Sequence, residues 1–196
     1  MQVAIVKYNA GNVQSVIYAL ERLNIKAILT DREEELKTAD KIIFPGVGEA
    51  SSAMRFLKEK NLDCVLKNLQ KPVLGICLGL QLLCQHSEEN NTDCLGVFEV
   101  NVRKFEASAD FKVPHVGWNT ISKLESPLFE GIDEKSYVYY VHSFYAETSI
   151  HSIAQTDYIH PFSAALHKDN FYAVQFHPEK SGDIGEKILY NFLFKI

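Results

Sequence analysis

The chain has 196 residues, of which 46% are hydrophobic and 23% are charged, and its formal net charge is -5. These values are typical of a globular domain, and we expect residues 1–196 to form one domain. The acidic balance, without a cluster of Lys and Arg, argues against nucleic acid or an anionic membrane surface as a partner. No apolar run approaches the ~20 residues of a membrane span, and the sequence opens directly on a strand pattern, so we expect a cytoplasmic protein.

The four cysteines show no metal-ligand spacing. Cys64, Cys77, Cys84 and Cys94 form no CxxC pair and no Cys/His cluster. A structural zinc site needs such spacing, so we expect neither a metal nor another cofactor. The thiols are predicted to be reduced.

Strands and helices alternate along the first half of the chain. The predicted strands are 3–8, 26–30, 41–44 and 72–76; the predicted helices are 13–23 with Asn12 as cap, 32–36 with Asp31 as cap, 49–60 and 78–84. Such alternation predicts an α/β fold, a mostly parallel central sheet flanked by helices. Ligands of such sheets bind beyond the carboxyl ends of the strands, where Pro45 and Cys77 fall.

The second half changes character. Its predicted elements are short strands at 98–103, 117–122, 137–141, 152–156 and 163–167, a strand at 172–176 and a closing helix at 183–194. We interpret the five short strands as an antiparallel extension of the sheet. Residues 106–110 are predicted to be a mobile loop.

Cys77 stands between Gly75 and Gly79, where the apolar strand meets the helix. A residue at such an elbow is forced into sparsely populated backbone dihedrals, and glycines let strand and helix pass closely. A helix N-terminus also favours the thiolate. The pattern predicts a nucleophile, with a core cysteine beside a turn as the alternative.

His177 and Glu179 follow the strand at 172–176. In an extended segment residues i and i+2 share a face, so this imidazole and carboxylate can lie side by side. The carboxylate would then fix the tautomer, and the other ring nitrogen would take the thiol proton. A solvated turn is the alternative, which the pairing with Cys77 disfavours.

Backbone donors for an oxyanion are predicted at Gly46, Val47 and Gly48, after the strand at 41–44, together with the N–H of Leu78. An ordinary turn is the alternative. Gln81 lies one helical turn after Cys77 on the same side of the helix, within reach of a ligand over the thiol. A solvated polar residue is the other interpretation of Gln81.

The stretches PGVG, GICLGLQ and HPEKSG resemble class I glutamine amidotransferases, a family of flavodoxin-like architecture, and the match runs from Met1 to Ile196. Within that class, YNAGN, VPHVGWN and YYVHSF are similar to the glutaminase subunits of imidazole glycerol phosphate synthases. The resemblance implies Cys77 as nucleophile, His177 as base and Glu179 as orienting group. It also implies glutamine contacts on Gln81 and the backbone at Ser143 and Phe144. Family members often carry Thr-Tyr at these last two positions.

The same resemblance implies that glutamine is hydrolysed and the ammonia passed to a (β/α)8-barrel cyclase, expected here as a separate subunit forming a heterodimer. Such a synthase makes imidazole glycerol phosphate and aminoimidazole carboxamide ribonucleotide in histidine biosynthesis. We expect the isolated chain to be nearly silent until the partner docks around the site, near Asn12, Trp118 and Lys180.

Three alternatives stay open. The chain could feed ammonia to another acceptor, such as a sugar amidination system; it could be a cysteine hydrolase acting alone; or it could be a non-catalytic subunit. The last is disfavoured because the whole triad is present.

Overall fold

A seven-stranded sheet forms the centre of the computed structural model, which describes residues 1–9 and 13–196. The strands in chain order are β1 Val3–Val6, β2 Ala27–Thr30, β3 Lys41–Phe44, β4 Val73–Ile76, β5 His86–Ser87, β6 Thr92–Asp93, β7 Asn101–Lys104, β8 His115–Thr120, β9 Tyr137–His142, β10 Phe144–Ala146, β11 Ser152–Asp157, β12 Pro161–Lys168 and β13 Phe171–Val174. The helices are α1 Gln14–Arg22, α2 Glu33–Thr38, α3 Ala50–Glu59, α4 Leu62–Lys67, α5 Leu78–Leu83 and α6 Gly182–Phe194. Short 3₁₀ turns lie at Pro127–Phe129 and Pro178–Lys180.

The main sheet has the strand order β11-β12-β13-β4-β3-β1-β2. Its five strands from β13 to β2 are parallel, and β12 and β11 add to it antiparallel. The predicted α/β fold with a mostly parallel sheet is therefore confirmed. Because β3, β4 and β13 are neighbours, the loops after their carboxyl ends converge although they lie far apart in the sequence.

Helices cover both faces of this sheet, which explains its unbroken apolar strands. Alternate residues of β1 enter different cores: Ala4 and Val6 pack with α2 to α5, whereas Val3 and Ile5 pack with α1 and α6. All four are fully buried. A strand buried on both faces has no polar side to alternate with, so the sequence there is continuously hydrophobic.

The antiparallel extension is only partly as predicted. Strands β11 and β12 do extend the main sheet, but β7 lies in a four-stranded sheet of order β10-β7-β5-β6, and β8 pairs with β9 in a separate hairpin. Pairing partners depend on contacts between distant segments, which a short apolar run does not encode. Helix α4 and the short strands β5, β6 and β10 were not predicted.

Two helix-cap predictions have different outcomes. Helix α2 starts at Glu33 with Arg32 at the cap position and no side-chain cap, so the prediction that Asp31 caps this helix is wrong. Instead, the acidic side chains of the first turn, Glu33 to Glu35, lie at the positive end of the helix dipole and stabilise the helix there. The predicted cap of the first helix, Asn12, lies outside the described residues. Residues 106–110 carry no regular secondary structure, and their mobility stays a prediction.

Candidate active site

Cys77 occupies the turn between β4 and α5, as predicted. Its backbone has φ 54° and ψ -107°, a conformation that non-glycine residues rarely adopt. Strain of this kind costs about 1–3 kcal/mol and persists only where the surroundings enforce it. Here the Cys77 N–H donates to the Val174 carbonyl at 2.8 Å, and the Cys77 carbonyl accepts from Gln81 at 3.2 Å. The strained residue is therefore anchored on both sides, to β13 and to α5.

Glycine is required on either side of the cysteine. A Cβ on Gly79 would run into the backbone carbonyl of Phe44, at the end of β3. A Cβ on Gly75 would lie 2.7 Å from the Leu83 side chain and 3.0 Å from the Gly79 backbone. These approaches are closer than a side chain tolerates, so both glycines bring helix and strand together as the sequence predicts.

His177 and Glu179 form a buried pair. The Nδ1 atom of His177 lies 2.8 Å from Oε1 of Glu179, and the two side chains are only 2% and 4% exposed. Glu179 belongs to a 3₁₀ turn, not to the extended segment that the prediction assumed. The side chains meet nonetheless, because the turn begins immediately after His177. Ser181 stabilises this turn by donating its hydroxyl to the His177 carbonyl at 2.6 Å.

The second ring nitrogen of His177 is available for proton transfer. Nε2 is buried and has no hydrogen-bond partner among the described residues. Burial is the largest single influence on this imidazole and opposes its charged form, but the Cys77 sulfur and the Glu179 carboxylate outweigh it and raise the pKa to about 10. The site thus favours an imidazolium beside the sulfur, the arrangement that a nucleophilic thiolate requires.

The predicted oxyanion donors are only partly available in this structure. The N–H of Leu78 donates to the Gly46 carbonyl at 3.2 Å, so that donor is occupied. The Gly46 carbonyl belongs to the same peptide group as the N–H of Val47. Turning this peptide over would release Leu78 and present the Val47 N–H in its place. Gly48 has a φ of 136°, which only glycine adopts freely.

A cavity of about 330 Å³ opens beside the cysteine, a size suited to a small metabolite. It is lined by residues that the sequence predicted, namely Val47, Gly48, Cys77, Leu78, Gln81, Ser143 and Phe144, and by Glu89, Pro114, Val141 and His142. The first five of these come from the loops after β3 and β4 or from the first turn of α5. The predicted nucleophile and the predicted glutamine contacts therefore line one cavity.

Gln81 is held by a hydrogen-bond network that the sequence analysis missed. Its Nε2 donates to the Phe144 carbonyl at 3.0 Å and to Oε1 of Gln175 at 3.1 Å. Nδ1 of His142 lies 2.7 Å from the same Phe144 carbonyl and therefore donates to it. His142 is in turn 3.1 Å from His115. Burial lowers the pKa of His142 to about 3 and that of His115 to about 4, so both rings are neutral.

Glu89 is a second pocket residue that was missed. Its Oε2 accepts the N–H of Ala50 at the start of α3, at 2.6 Å. Burial raises the pKa of Glu89, and the Ala50 bond opposes this shift. The carboxylate is the acidic side chain that lines the cavity. A residue in a loop between two-residue strands carries no periodic signal, so sequence pattern alone could not have found it.

Two of the three predicted partner contacts, Trp118 and Lys180, are among the described residues. Trp118 is 55% exposed on β8, opposite Tyr139 of β9. Lys180 is half-buried and ends the 3₁₀ turn that holds Glu179. Asn12 lies outside the described residues. Among residues 1–9 and 13–196 there is no group of three or more His, Cys, Asp or Glu that could hold a metal, and no helix is long and apolar enough to cross a membrane.

Comparison with known proteins shows the family of this chain. The sequence pattern of the family "Glutamine amidotransferase class-I" matches residues 4–196. The chain belongs to the class-I glutamine amidotransferases. The predicted family and fold are confirmed, and the protein is a glutamine amidotransferase.

Individual relatives of this amidotransferase include the imidazole glycerol phosphate synthase subunit HisH of Bacteroides thetaiotaomicron, which is 60% identical over 98% of this chain and 99% of that relative. The protein of the same name from Colwellia psychrerythraea is 43% identical to this chain; the match covers 96% of this chain and 91% of that relative. Solved structures are similar in fold. For PurLQS from Thermotoga maritima the TM-score is 0.73 at 17% identity, and the match covers 98% of this chain and 97% of the chain in that structure.

Proposed function

We propose that this amidotransferase is the glutaminase subunit of an imidazole glycerol phosphate synthase, hydrolysing glutamine and passing the ammonia to a (β/α)8-barrel cyclase in histidine biosynthesis. The observation that carries the glutaminase chemistry is the buried His177–Glu179 pair beside a strained cysteine that faces a cavity. The acceptor is supported by the relatives, which are named as synthase subunits and match almost their whole length.

The geometry supports a first half-reaction in which Cys77 is the nucleophile. The Cys77 thiolate attacks the carboxamide carbon of glutamine, forming a C–S bond and placing negative charge on the carboxamide oxygen. The His177 imidazolium then gives its Nε2 proton to the nitrogen, the C–N bond breaks, and ammonia leaves. Glu179 holds the ring through Nδ1 and stabilises its positive charge.

The second half returns the enzyme to its starting state. A water molecule, deprotonated by Nε2 of His177, attacks the glutamyl thioester. The C–S bond breaks, the new γ-carboxyl group loses its remaining proton to solvent, and glutamate leaves. The thiolate then faces an imidazolium again. The proton taken from water is the one that the next turnover delivers to ammonia.

Glutamine recognition rests on the polar rim of the cavity. Both hydrogens of the Gln81 amide are used, on Phe144 and Gln175, so its Oε1 is the atom that remains to accept from the α-ammonium group. The Glu89 carboxylate provides the matching negative charge in the same cavity. An acceptor and a carboxylate together favour an ammonium group, which glutamine carries and a simple uncharged amide lacks.

An exposed face on the β8–β9 hairpin supports docking of a partner over this site. Val116, Trp118 and Tyr137 are 56%, 55% and 60% exposed, and the strand register places them on one face with Tyr139 and Val141. Contiguous exposed apolar surface of this kind marks interaction sites. Val141 also lines the cavity, so the face is continuous with the active site.

The same hairpin is joined to the triad through its backbone. The His177 N–H donates to the Tyr139 carbonyl at 2.9 Å, and the Tyr139 N–H donates to the Ser181 hydroxyl at 2.9 Å. A partner that shifts β9 would therefore move the base directly. Together with the occupied Leu78 N–H, this supports a resting state that docking converts to the active one by selecting the rotated Gly46–Val47 peptide.

Reconstitution tests the proposal. The purified chain is assayed for glutamate release alone, with the barrel cyclase of the same organism, and with that cyclase loaded with its nucleotide ligand. We expect near-silence alone and strong activation by the loaded complex, with formation of imidazole glycerol phosphate. Full activity of the lone chain, unchanged by the cyclase, would instead support an independent hydrolase. Activation without cyclase product would indicate another ammonia acceptor.

Surface variants test the docking face. We expect Trp118→Ala and Lys180→Ala to weaken complex formation and activation. Phe194→Ala is the matched control: Phe194 is 49% exposed at the far end of α6, about 18 Å along the helix from Gly182. If the control weakens binding as much as Trp118→Ala, the docking face is assigned wrongly. If Lys180→Ala binds and is activated like the wild type, only Lys180 is removed from the proposed contacts.

A further inference from the structure

Gln175 touches the nucleophile, yet its role is not explained by the triad. Its side chain is fully buried just after β13, two residues before His177. Its Nε2 lies 3.7 Å from the Cys77 sulfur, and its Oε1 accepts from Gln81 at 3.1 Å. The backbone N–H of Gln175 is fixed to the Ala164 carbonyl of β12 at 2.8 Å. Both ends of this buried amide therefore contact side chains of the candidate site.

The direction of this network is set by a backbone carbonyl. The Phe144 oxygen can only accept, so Gln81 must turn its Nε2 towards it. The same Nε2 contacts Gln175, which must therefore present its Oε1 to Gln81 and its Nε2 to the sulfur. The reverse orientation would bring two amide donors together. The donor facing Cys77 thus follows from the fold and not from a choice of amide orientation.

We propose that Gln175 is a further residue of the catalytic machinery, donating a hydrogen bond to the Cys77 thiolate while it locks Gln81 with its oxygen towards glutamine. The proposal deepens the proposed glutaminase function and rests on it. A thiol can donate to the Val141 carbonyl, 3.9 Å from the sulfur, but a thiolate can only accept. The Gln175 contact therefore favours the charged form, in which hydrogen bonds are stronger.

The test measures how the reactivity of Cys77 depends on pH. The lone chain is alkylated with iodoacetamide between pH 5 and 10, and mass spectrometry follows Cys77 and, as an internal reference, the exposed Cys64. In Gln175→Met we expect the pH of half-maximal Cys77 reactivity to rise by about one unit, because a hydrogen bond to a charged group contributes about 1.5–3 kcal/mol. Cys64 should react as in the wild type.

The other titratable groups near the sulfur are unchanged in this variant. They are His177 and Glu179 after β13, Tyr8 after β1, Glu89 after β5 and His142 at the end of β9. A packing defect alone would reduce the extent of alkylation or the thermal stability without moving the midpoint. Should Gln175→Met fail to fold, Gln175→Asn serves instead, since it keeps a polar amide but shortens it by one methylene.

Gln81→Met is the matched comparison, because it keeps the Gln175 amide beside the sulfur and removes only the partner of its Oε1. In the assembled complex we expect Gln81→Met to raise KM for glutamine, and Gln175→Met to lower kcat and raise KM. In the lone chain the alkylation midpoint should shift less in Gln81→Met than in Gln175→Met. An unshifted midpoint in a folded Gln175 variant would overturn the proposal. A wild-type complex that releases no glutamate would overturn the proposed function instead. The alkylation midpoint would still test the Gln175 hydrogen bond, because it does not depend on turnover.

Discussion

Acidification should destabilise this protein through a histidine that folding holds neutral. His142 is 6% exposed, between the cavity and His115, and burial lowers its pKa from 6.5 to about 3. Between pH 6.5 and about 3 the unfolded chain binds a proton at this position and the native chain does not, so stability falls as pH falls. From pH 7 to pH 5 the loss is about 2 kcal/mol, at about 1.36 kcal/mol for each pH unit below 6.5.

Urea denaturation at pH 7 and pH 5 measures this loss. His142→Asn keeps a donor for the Phe144 carbonyl but cannot take up the proton. We expect this variant to be less stable at pH 7 yet to lose about 2 kcal/mol less than the wild type on acidification. His160→Asn, at an exposed histidine, controls for removal of an imidazole as such. Equal losses in the wild type and His142→Asn would refute the reasoning. His115, with its pKa lowered to about 4, acts in the same direction.

The remaining predictions concern the triad and its elbow. Cys77→Ser should abolish glutamine hydrolysis but leave the fold and the ammonium-dependent synthase reaction intact, and a glutamine-analogue electrophile should label Cys77 and spare the other three cysteines by mass spectrometry. His177→Asn should be nearly inactive in glutamate release, while Glu179→Gln should lose roughly 10²-fold less, because the orienting carboxylate contributes less than the proton carrier; unaltered turnover in Glu179→Ala would remove Glu179 from the mechanism. Gly79→Ala should lower the free energy of unfolding by about 1–3 kcal/mol and reduce turnover, because the added Cβ meets the Phe44 carbonyl. Wild-type values for both quantities would show that helix α5 can move away from β3.

Sequence predicted the parts of this protein whose physics is local. The elbow at Cys77 is encoded by Gly75 and Gly79, one on either side. Strand β4 is encoded by an uninterrupted apolar run, and β3 by the apolar residues that follow Lys41. The pairing of β7 with β5 and β10 could not be predicted, because each strand is short and its partner is distant in sequence. The positions of Gln175 and Glu89 beside the cavity could not be predicted for the same reason. Neither residue has a spacing signature, and both reach the site only because loops that are distant in sequence converge there.

The oxyanion site shows a different limit of sequence reasoning. The pattern Gly46-Val47-Gly48 predicts backbone freedom, and the structure has the Leu78 N–H bound to the Gly46 carbonyl. A glycine-rich segment encodes two peptide orientations with small energy differences, and which one is populated depends on what contacts the segment. In the observed orientation the Leu78 donor is satisfied, so an oxyanion would have to displace an existing hydrogen bond before it gained one. Under the proposed function, the glycines that make an oxyanion site possible would also allow it to be held inactive, and a partner docking on the β8–β9 face would have an equilibrium to shift.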